Sequence, residues 1–293
     1  MLSYQEPLYR PPSEGNNLIL QATLGCSNNR CTFCTMYRSK RFQIRPLDAL
    51  LEEVDHAAVL WPDARRIFVA DGDALVMPMD HWRPLLERLA QRFPRLQRVS
   101  CYARPGNLLK KTLGELAELR TLKLSLLYYG IESGYDPLLA IIEKGEGCDR
   151  MCEGLLKAAE AGLKVSATVV LGLGGTGLWK AHIDGTIELI HRVPLHYLST
   201  LQLMMDPSLE SHFIGRFPGG FQFQDDNAIL DEQHRLLAGI IQPPRPIIFR
   251  SNHASNALAL AGNLPRDQQR LLGEIDAARG DGEGVRPFWM RGL

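Results

Sequence analysis

The sequence predicts an α/β fold built on a parallel sheet, and three observations lead there. Short apolar runs alternate six times with segments whose apolar residues recur at helical spacing. The runs are nearly continuous in apolar character, as strands covered on both faces require. The polar and glycine-rich stretches each follow a run, at the strand ends where parallel α/β folds build their sites. Right-handed crossovers then give either an open doubly wound sheet or a curved, partial barrel.

The elements follow in order. Residues 1–16 are polar, carry Pro7, Pro11 and Pro12, and read as a surface lead-in. Residues 18–24 are the first strand, stopping at Gly25. Leu47, Leu50, Leu51, Val54 and Ala58 mark a helix over 47–60. A second strand over 67–70 ends in Asp71-Gly72-Asp73, and a helix over 82–93 follows, with Pro84 in its first turn. A third strand (99–103) precedes a helix over 107–119. The fourth (122–129) runs into Gly130-Ile131-Glu132-Ser133-Gly134, ahead of a helix over 151–161 capped by Gly162. The fifth (165–171) meets Gly172-Leu173-Gly174-Gly175 and a helix over 180–191. The sixth (197–204) ends before Asp206-Pro207. Beyond 207 the character changes. Residues 213–223 are rich in Gly and Phe, and 231–241 read as a helix. A polar run over 250–256 leads into an Ala/Leu helix.

Composition narrows the function. The 293 residues are 45% hydrophobic and 23% charged, which suits a globular protein and excludes disordered and fibrous classes. Formal net charge is zero, with 33 basic and 33 acidic residues, so a nucleic-acid or anionic-membrane partner is not expected. No stretch reaches the roughly 18 apolar residues of a membrane span. The N-terminus lacks a basic n-region and an apolar h-region, so a cytoplasmic protein is expected. Six cysteines are too sparse for a disulfide scaffold.

Three of those cysteines, Cys26, Cys31 and Cys34, form a C-x4-C-x2-C loop directly after the first strand. Thiolates on so short a loop can converge on one metal centre. Zinc asks for four ligands in a structural site, so a zinc reading needs a distant histidine. A 4Fe–4S cluster held by three cysteines instead keeps one iron open to a small molecule.

The loop and four further landmarks resemble the radical S-adenosylmethionine (SAM) superfamily, in the branch of oxygen-independent coproporphyrinogen dehydrogenase and the tRNA methylthiotransferases. The landmarks are Phe33 and the cysteine loop, Asp71-Gly72-Asp73, Gly130-Ile131-Glu132-Ser133-Gly134, Glu143-Lys144-Gly145, and Val170-Leu171-Gly172-Leu173-Gly174-Gly175. They stand in the family's order on successive strands. The loop departs in one respect, having one residue more than the commoner C-x3-C-x2-C. The resemblance covers about 17–206. It implies a partial (β/α)6, TIM-barrel-like core there, with 207–293 as a C-terminal extension closing the barrel.

The resemblance also implies one 4Fe–4S cluster and SAM as cofactors. Cys26, Cys31 and Cys34 would ligate three irons, and SAM the fourth. Phe33 would lie near the adenine, and Gly72 and Asp73 against the methionine amino group. Glu132 would contact the ribose hydroxyls, and Lys144 the SAM carboxylate. Thr168, Val170 and Gly172 would flank the adenine. The implied activity is reductive cleavage of SAM to a 5′-deoxyadenosyl radical, which takes hydrogen from a small-molecule substrate. Asp73 also reads as an N-cap or turn residue, and Lys144 as a solvated loop lysine.

A radical SAM enzyme needs an electron donor such as flavodoxin or ferredoxin. The segment Arg38-Ser39-Lys40-Arg41, with Arg30 and Arg45, reads first as a solvated loop, and otherwise as a basic docking site for such a donor. Arg250, Asn252 and His253 are the substrate candidates. Arg250 could alternatively pair with Asp267, and His253 could be a surface residue beside a capping serine. Cys101, Cys148 and Cys152 are left over. Cys148-x3-Cys152 could suggest a second cluster, but the multi-cysteine C-terminal extension typical of such family members is lacking, and the role of the three stays open. Pro287-Phe288-Trp289-Met290 reads as a packed aromatic plug. Two other function classes stay open: a non-catalytic iron–sulfur electron-transfer protein, and an RNA-modifying radical SAM enzyme.

Overall fold

Leu18–Gln21 (β1) begins the main sheet, its residues Ile19, Leu20 and Gln21 all buried. The computed structural model describes residues 2–282 and 284–292. Met1 of the lead-in and Leu293 of the C-terminal extension lie outside them. Thr23–Leu24 (β2) and Gln43–Ile44 (β3) pair antiparallel as a small ribbon. Then come Leu47–Leu60 (α1), Arg66–Ala70 (β4), Met79–Arg92 (α2), Arg98–Ala103 (β5), Pro105–Lys110 (α3) and Leu113–Thr121 (α4). Leu124–Glu132 (β6), Asp136–Ile141 (α5), Cys148–Glu160 (α6), Lys164–Leu171 (β7), Gly175–Arg192 (α7) and Tyr197–Gln202 (β8) complete the alternation. Pro207–Ile214 (α8), Asp226–Gly239 (α9), Ile247–Ser251 (β9), Leu260–Leu264 (β10) and Gln268–Asp281 (α10) follow. The six-fold strand–helix alternation read from the sequence is therefore present, on β1, β4, β5, β6, β7 and β8.

The sheet strands run mostly parallel to their neighbours. The chain divides into two compact units, each described by itself. The first comprises Met1–Asn29, Cys34–Tyr129 and Glu153–Val165. Its strand order is β1-β4-β5-β6, every pair parallel. Leu18 pairs with Ile67, and Ile67 in turn with Val99. Apolar side chains of α1 and α2 (Leu50, Val54, Trp82, Leu85 and Leu89) are wholly buried and cover this sheet.

The second unit comprises Arg30–Phe33, Gly130–Cys152 and Ser166–Leu293. Its order is β7-β8-β9-β10, with only the last pair antiparallel. Here α7 packs on α9, and α9 on α10. Ile183, Ile190, Leu236 and Leu237 are among its fully buried side chains.

Several boundaries differ from the sequence reading, each for a local reason. The first strand breaks at Ala22, because Thr23 and Leu24 leave the ladder with β4 and pair antiparallel with Ile44 and Gln43. The single helix expected over 107–119 is two. Lys111 is extended, and Thr112 starts α4 with a capping box in which it and Glu115 satisfy each other's backbone. Helix α7 begins at Gly175, earlier than expected, because its first turn is glycine-rich and carries no propensity signal. The Ala/Leu stretch expected to be helical contributes β10, paired in register with β9. The lead-in is not wholly at the surface. Glu14 is fully buried and accepts from Arg98 (2.7 Å), Ser100 (3.0 Å) and Tyr128 (2.6 Å). The expected aromatic plug is exposed: Phe288 is 73% and Trp289 80% accessible.

Candidate functional site

In the first unit the candidate residues sit at the carboxyl ends of β1 and β4. Gly72 touches Cys26 so closely that a Cβ on it would lie 2.7 Å from the Cys26 Cβ and 2.9 Å from the Gly25 carbonyl oxygen. Only glycine fits there. Asp71 is fully buried and ion-paired with Lys40 at 2.8 Å. The same Asp71 oxygen accepts the Gly25 N–H at 3.1 Å and the Gln21 amide at 3.1 Å. Asp73, also fully buried, accepts the Ser27 N–H at 2.9 Å on Oδ1 and the Ser27 hydroxyl on Oδ2. Arg104 reaches the Ser27 Oγ at 3.3 Å.

The rest of the loop is tied by side chains to backbone. Asn29 adopts a left-handed φ of 47°. Its amide donates to the Tyr37 carbonyl at 2.9 Å, and Arg38 donates to the Asn29 carbonyl at 2.9 Å and the Cys34 carbonyl at 3.2 Å. Lys40 is correspondingly not part of an exposed basic docking segment. It is 5% accessible, and besides Asp71 it binds the carbonyls of Gln5 and Pro7.

Cys26, Cys31 and Cys34 form no disulfide and are half-buried. Burial and the nearby Asp73 carboxylate push the Cys26 thiol up, so ionising it calls for a bound cation. Among the described residues, no three His, Cys, Asp or Glu side chains are gathered as one metal ion would need. Three cysteines spaced along one loop fit instead a cluster in which each would ligate a different iron. Burial also raises Asp73, against the opposing Ser27 bonds and the Arg104 charge.

In the second unit the candidates cluster after β6 and β7. Glu132 has a left-handed φ of 64° and accepts from the Lys144 ammonium at 2.7 Å. Both side chains are nearly buried, so Lys144 is no solvated loop lysine. Gly130 makes room for the pair, since a Cβ there would meet Glu132 Oε1 at 2.0 Å and Lys144 Nζ at 2.9 Å. Behind them, His182 bridges Ser133 Oγ (Nδ1, 2.8 Å) and the Val170 carbonyl (Nε2, 3.1 Å). Burial lowers it to about 4, so it is neutral, with its proton on Nε2 facing the carbonyl. Gly172 takes a φ of 80°, and its N–H donates to Glu232 Oε2 at 2.7 Å. Burial raises Glu232 to about 8. Thr168 is half-buried and Val170 is 7% accessible. Phe33 is half-buried, and the Thr32 N–H beside it donates to the Ile142 carbonyl at 3.0 Å.

The C-terminal candidates are only partly brought together. Arg250 is exposed on β9 and donates to the carbonyls of Phe249 (2.7 Å) and Gly262 (3.4 Å). It does not pair with Asp267, which binds Arg266 at 2.8 Å. Asn252 is exposed. His253 is half-buried against Ser255 Oγ at 2.9 Å, and burial and the Arg286 charge hold it below its ordinary value. Asn256 accepts the Gln202 N–H at 2.7 Å and donates to the Thr200 carbonyl at 2.8 Å, while Gln202 accepts the Ala257 N–H at 3.0 Å. These bonds fix the 252–257 segment to the carboxyl end of β8.

Of the remaining cysteines, Cys101 is fully buried in β5. Burial and Asp136 push Cys148 up to about 12. The sequence reading missed four residues: Ser27, Asp71, His182 and Glu232. An acid immediately after a buried strand was the available signal for Asp71, because it demands a partner.

Comparisons with known proteins bear on this arrangement. The family model described as the Radical SAM superfamily matches residues 20–190. The Methanocaldococcus jannaschii protein named "Putative methylthiotransferase MJ0865" is 24% identical over 166 residues, which are 54% of this chain and 35% of that protein. Among solved structures, coproporphyrinogen III oxidase of Escherichia coli superposes with a TM-score of 0.57 at 14% identity, covering 76% of this chain and 51% of that one. The hydrogenase maturase HydG gives 0.51 at 17% identity, over 77% and 50%. Methylornithine synthase gives 0.51 at 12% identity, over 93% and 83%. The structural likenesses establish a shared fold. The chain spans about a third of the length of the methylthiotransferase relative.

Proposed function

The chain belongs to the radical SAM superfamily and is an enzyme of that family, and on that premise we propose that it uses a 4Fe–4S cluster and SAM to take hydrogen from a small-molecule substrate. The observation that carries this reading is the contact of Gly72 with Cys26, which joins the second landmark to the first. When bound, the two cofactors supply a 5′-deoxyadenosyl radical. Cys26, Cys31 and Cys34 would hold the cluster.

The protein's own groups do the binding and orienting. Lys144 offers an ammonium to the SAM carboxylate, and Glu132 a carboxylate to the ribose hydroxyls. Their mutual bond keeps both charges paired before SAM arrives. Gly72 presents backbone to the methionine amino group, while Asp73 holds Ser27 beside Cys26. Phe33, Thr168, Val170 and Gly172 line the adenine side. Neutral His182 holds the β7 carbonyl and Ser133 in place without adding charge. Residues 17–206 act as the core and 207–293 as the extension on the substrate side, with Arg250, Asn252 and His253 as substrate contacts. A reductant such as flavodoxin or ferredoxin supplies the electron. Among the described residues no helix is long and apolar enough to cross a membrane.

The test is anaerobic. The chain is reconstituted with iron and sulfide, reduced, given SAM, and assayed for 5′-deoxyadenosine beside a Cys31→Ala control. Product that depends on Cys31 supports the reading; zinc bound in place of a cluster overturns it. A second reading, transfer of a methylthio group, is favoured by the methylthiotransferase relative. A methylthiolated product, from RNA or a small molecule, would distinguish it.

A further inference from the structure

Asp71 and Asp73 stand on either side of Gly72 and reach either side of Cys26. Asp71 accepts the N–H of Gly25, the residue before the cysteine, at 3.1 Å. Asp73 accepts the N–H of Ser27, the residue after it, at 2.9 Å, and the Ser27 hydroxyl as well. Gly72 lies against the cysteine itself. Both carboxylates are fully buried. The charge of Asp71 is balanced by Lys40, whose side chain is 1% accessible. Asp73 spends an oxygen on each of the two donors of Ser27.

We propose that the Asp-Gly-Asp triplet is a pincer that fixes the backbone of Cys26, and that Asp73 is a positioning residue for this cluster ligand rather than chiefly a contact for the methionine amino group. A buried carboxylate bonded to backbone N–H groups is a stiff support, because releasing either bond strands a buried charge. Such support matters most where the cysteine loop is longer than the common one, since the added residue gives the first cysteine freedom that the loop does not itself remove. Asn29, in its left-handed conformation and bonded to Tyr37, restrains the other end of the same stretch. The inference rests on the proposal that Cys26 ligates a cluster.

The experiment uses the full chain, anaerobically reconstituted, as wild type, Asp73→Ala, Asp73→Asn and Ser27→Ala. Three quantities are read: iron per chain, the rate of iron loss to a chelator, and SAM affinity of the loaded fraction. Asp73→Ala is expected to release iron about 10-fold faster or more, the usual scale for losing an outer support of a ligand. Asp73→Asn keeps an oxygen for the Ser27 N–H and is expected within about 3-fold of wild type on the same scale. Ser27→Ala loses one bond of the two, keeps the fold, and falls between. SAM affinity of the loaded fraction stays within the same range for all variants. Wild-type iron retention in both Asp73→Ala and Ser27→Ala overturns the inference. Normal retention with weakened SAM binding in Asp73→Asn also overturns it, in favour of the amino-group contact. A wild-type chain that takes up no cluster fails the function reading and this inference together, and the other outcomes separate the two.

Discussion

Lys144 donates a 2.7 Å bond to Glu132 in a space that a Cβ on Gly130 would fill. The resemblance assigns these two residues to different parts of SAM, whereas the structure joins them in one nearly buried ion pair. Each is therefore the other's counter-charge whenever SAM is absent.

Removing one partner strands the other. Lys144→Ala is expected to lower stability by about 3 kcal/mol, the scale for an uncompensated buried charge. It is also expected to weaken SAM binding by about 10-fold or more, as loss of a charged hydrogen bond does. Thermal melts and equilibrium binding to the loaded protein check both. A Glu132→Gln, Lys144→Met double variant should recover stability and leave SAM binding impaired.

Gly72→Ala tests the contact at the cysteine. Its Cβ would sit 2.7 Å from that of Cys26, between two backbone segments held by buried carboxylates. Overpacking of this kind costs about 1–3 kcal/mol. The expected result is a lower melting temperature and less iron per chain. Gly114→Ala, at a helical glycine with open space around it, is the control and should not lose stability.

Glu232 predicts a pH dependence. Its pKa is raised from 4.5 to about 8 in the folded chain, so between those values the folded state holds a proton that the unfolded state has lost. Stability from this group is greatest below pH 4.5 and falls as pH rises to about 8. At about 1.4 kcal/mol per pKa unit, the full loss is on the order of 5 kcal/mol. Glu232→Gln, which keeps an acceptor for the Gly172 N–H, should abolish that slope. Urea melts from pH 5 to 9 on both proteins measure the difference.

His182 acts with the opposite sign. Its pKa falls from 6.5 to about 4 on folding, so its contribution is intact above pH 6.5 and is lost as pH falls toward 4. Between pH 4.5 and 6.5 the two slopes oppose each other, and above 6.5 only that of Glu232 remains. His182→Gln should therefore change the acid limb of the stability curve and leave the limb above pH 6.5 as in wild type.

The strand–helix alternation and the landmark residues were legible because both are local. Apolar runs and their spacing need no knowledge of distant partners. Helix α7 and strand β10 were misread where glycine or alanine weakens the local signal and pairing decides instead, as the β9–β10 register does. Ser27 and Glu232 were not visible because their meaning lies in contacts 46 and 60 positions away along the chain. Lys40 looked like one more surface cation until its partners, Asp71 and the carbonyls of the lead-in, were in place. Arg250 likewise faced Asp267 only on paper, because Arg266 is the nearer guanidinium.

The Gln202–Asn256 exchange of side-chain and backbone bonds separates anchoring from display. Asn256 and Ser255 are buried and carry the attachment, while Asn252 and Ala254 face solvent. Replacements at those two exposed positions alter the solvent face of the segment without loosening it. The segment can thus change its exposed chemistry at little cost to the core, with selection free to rewrite the display letters while the anchor is kept.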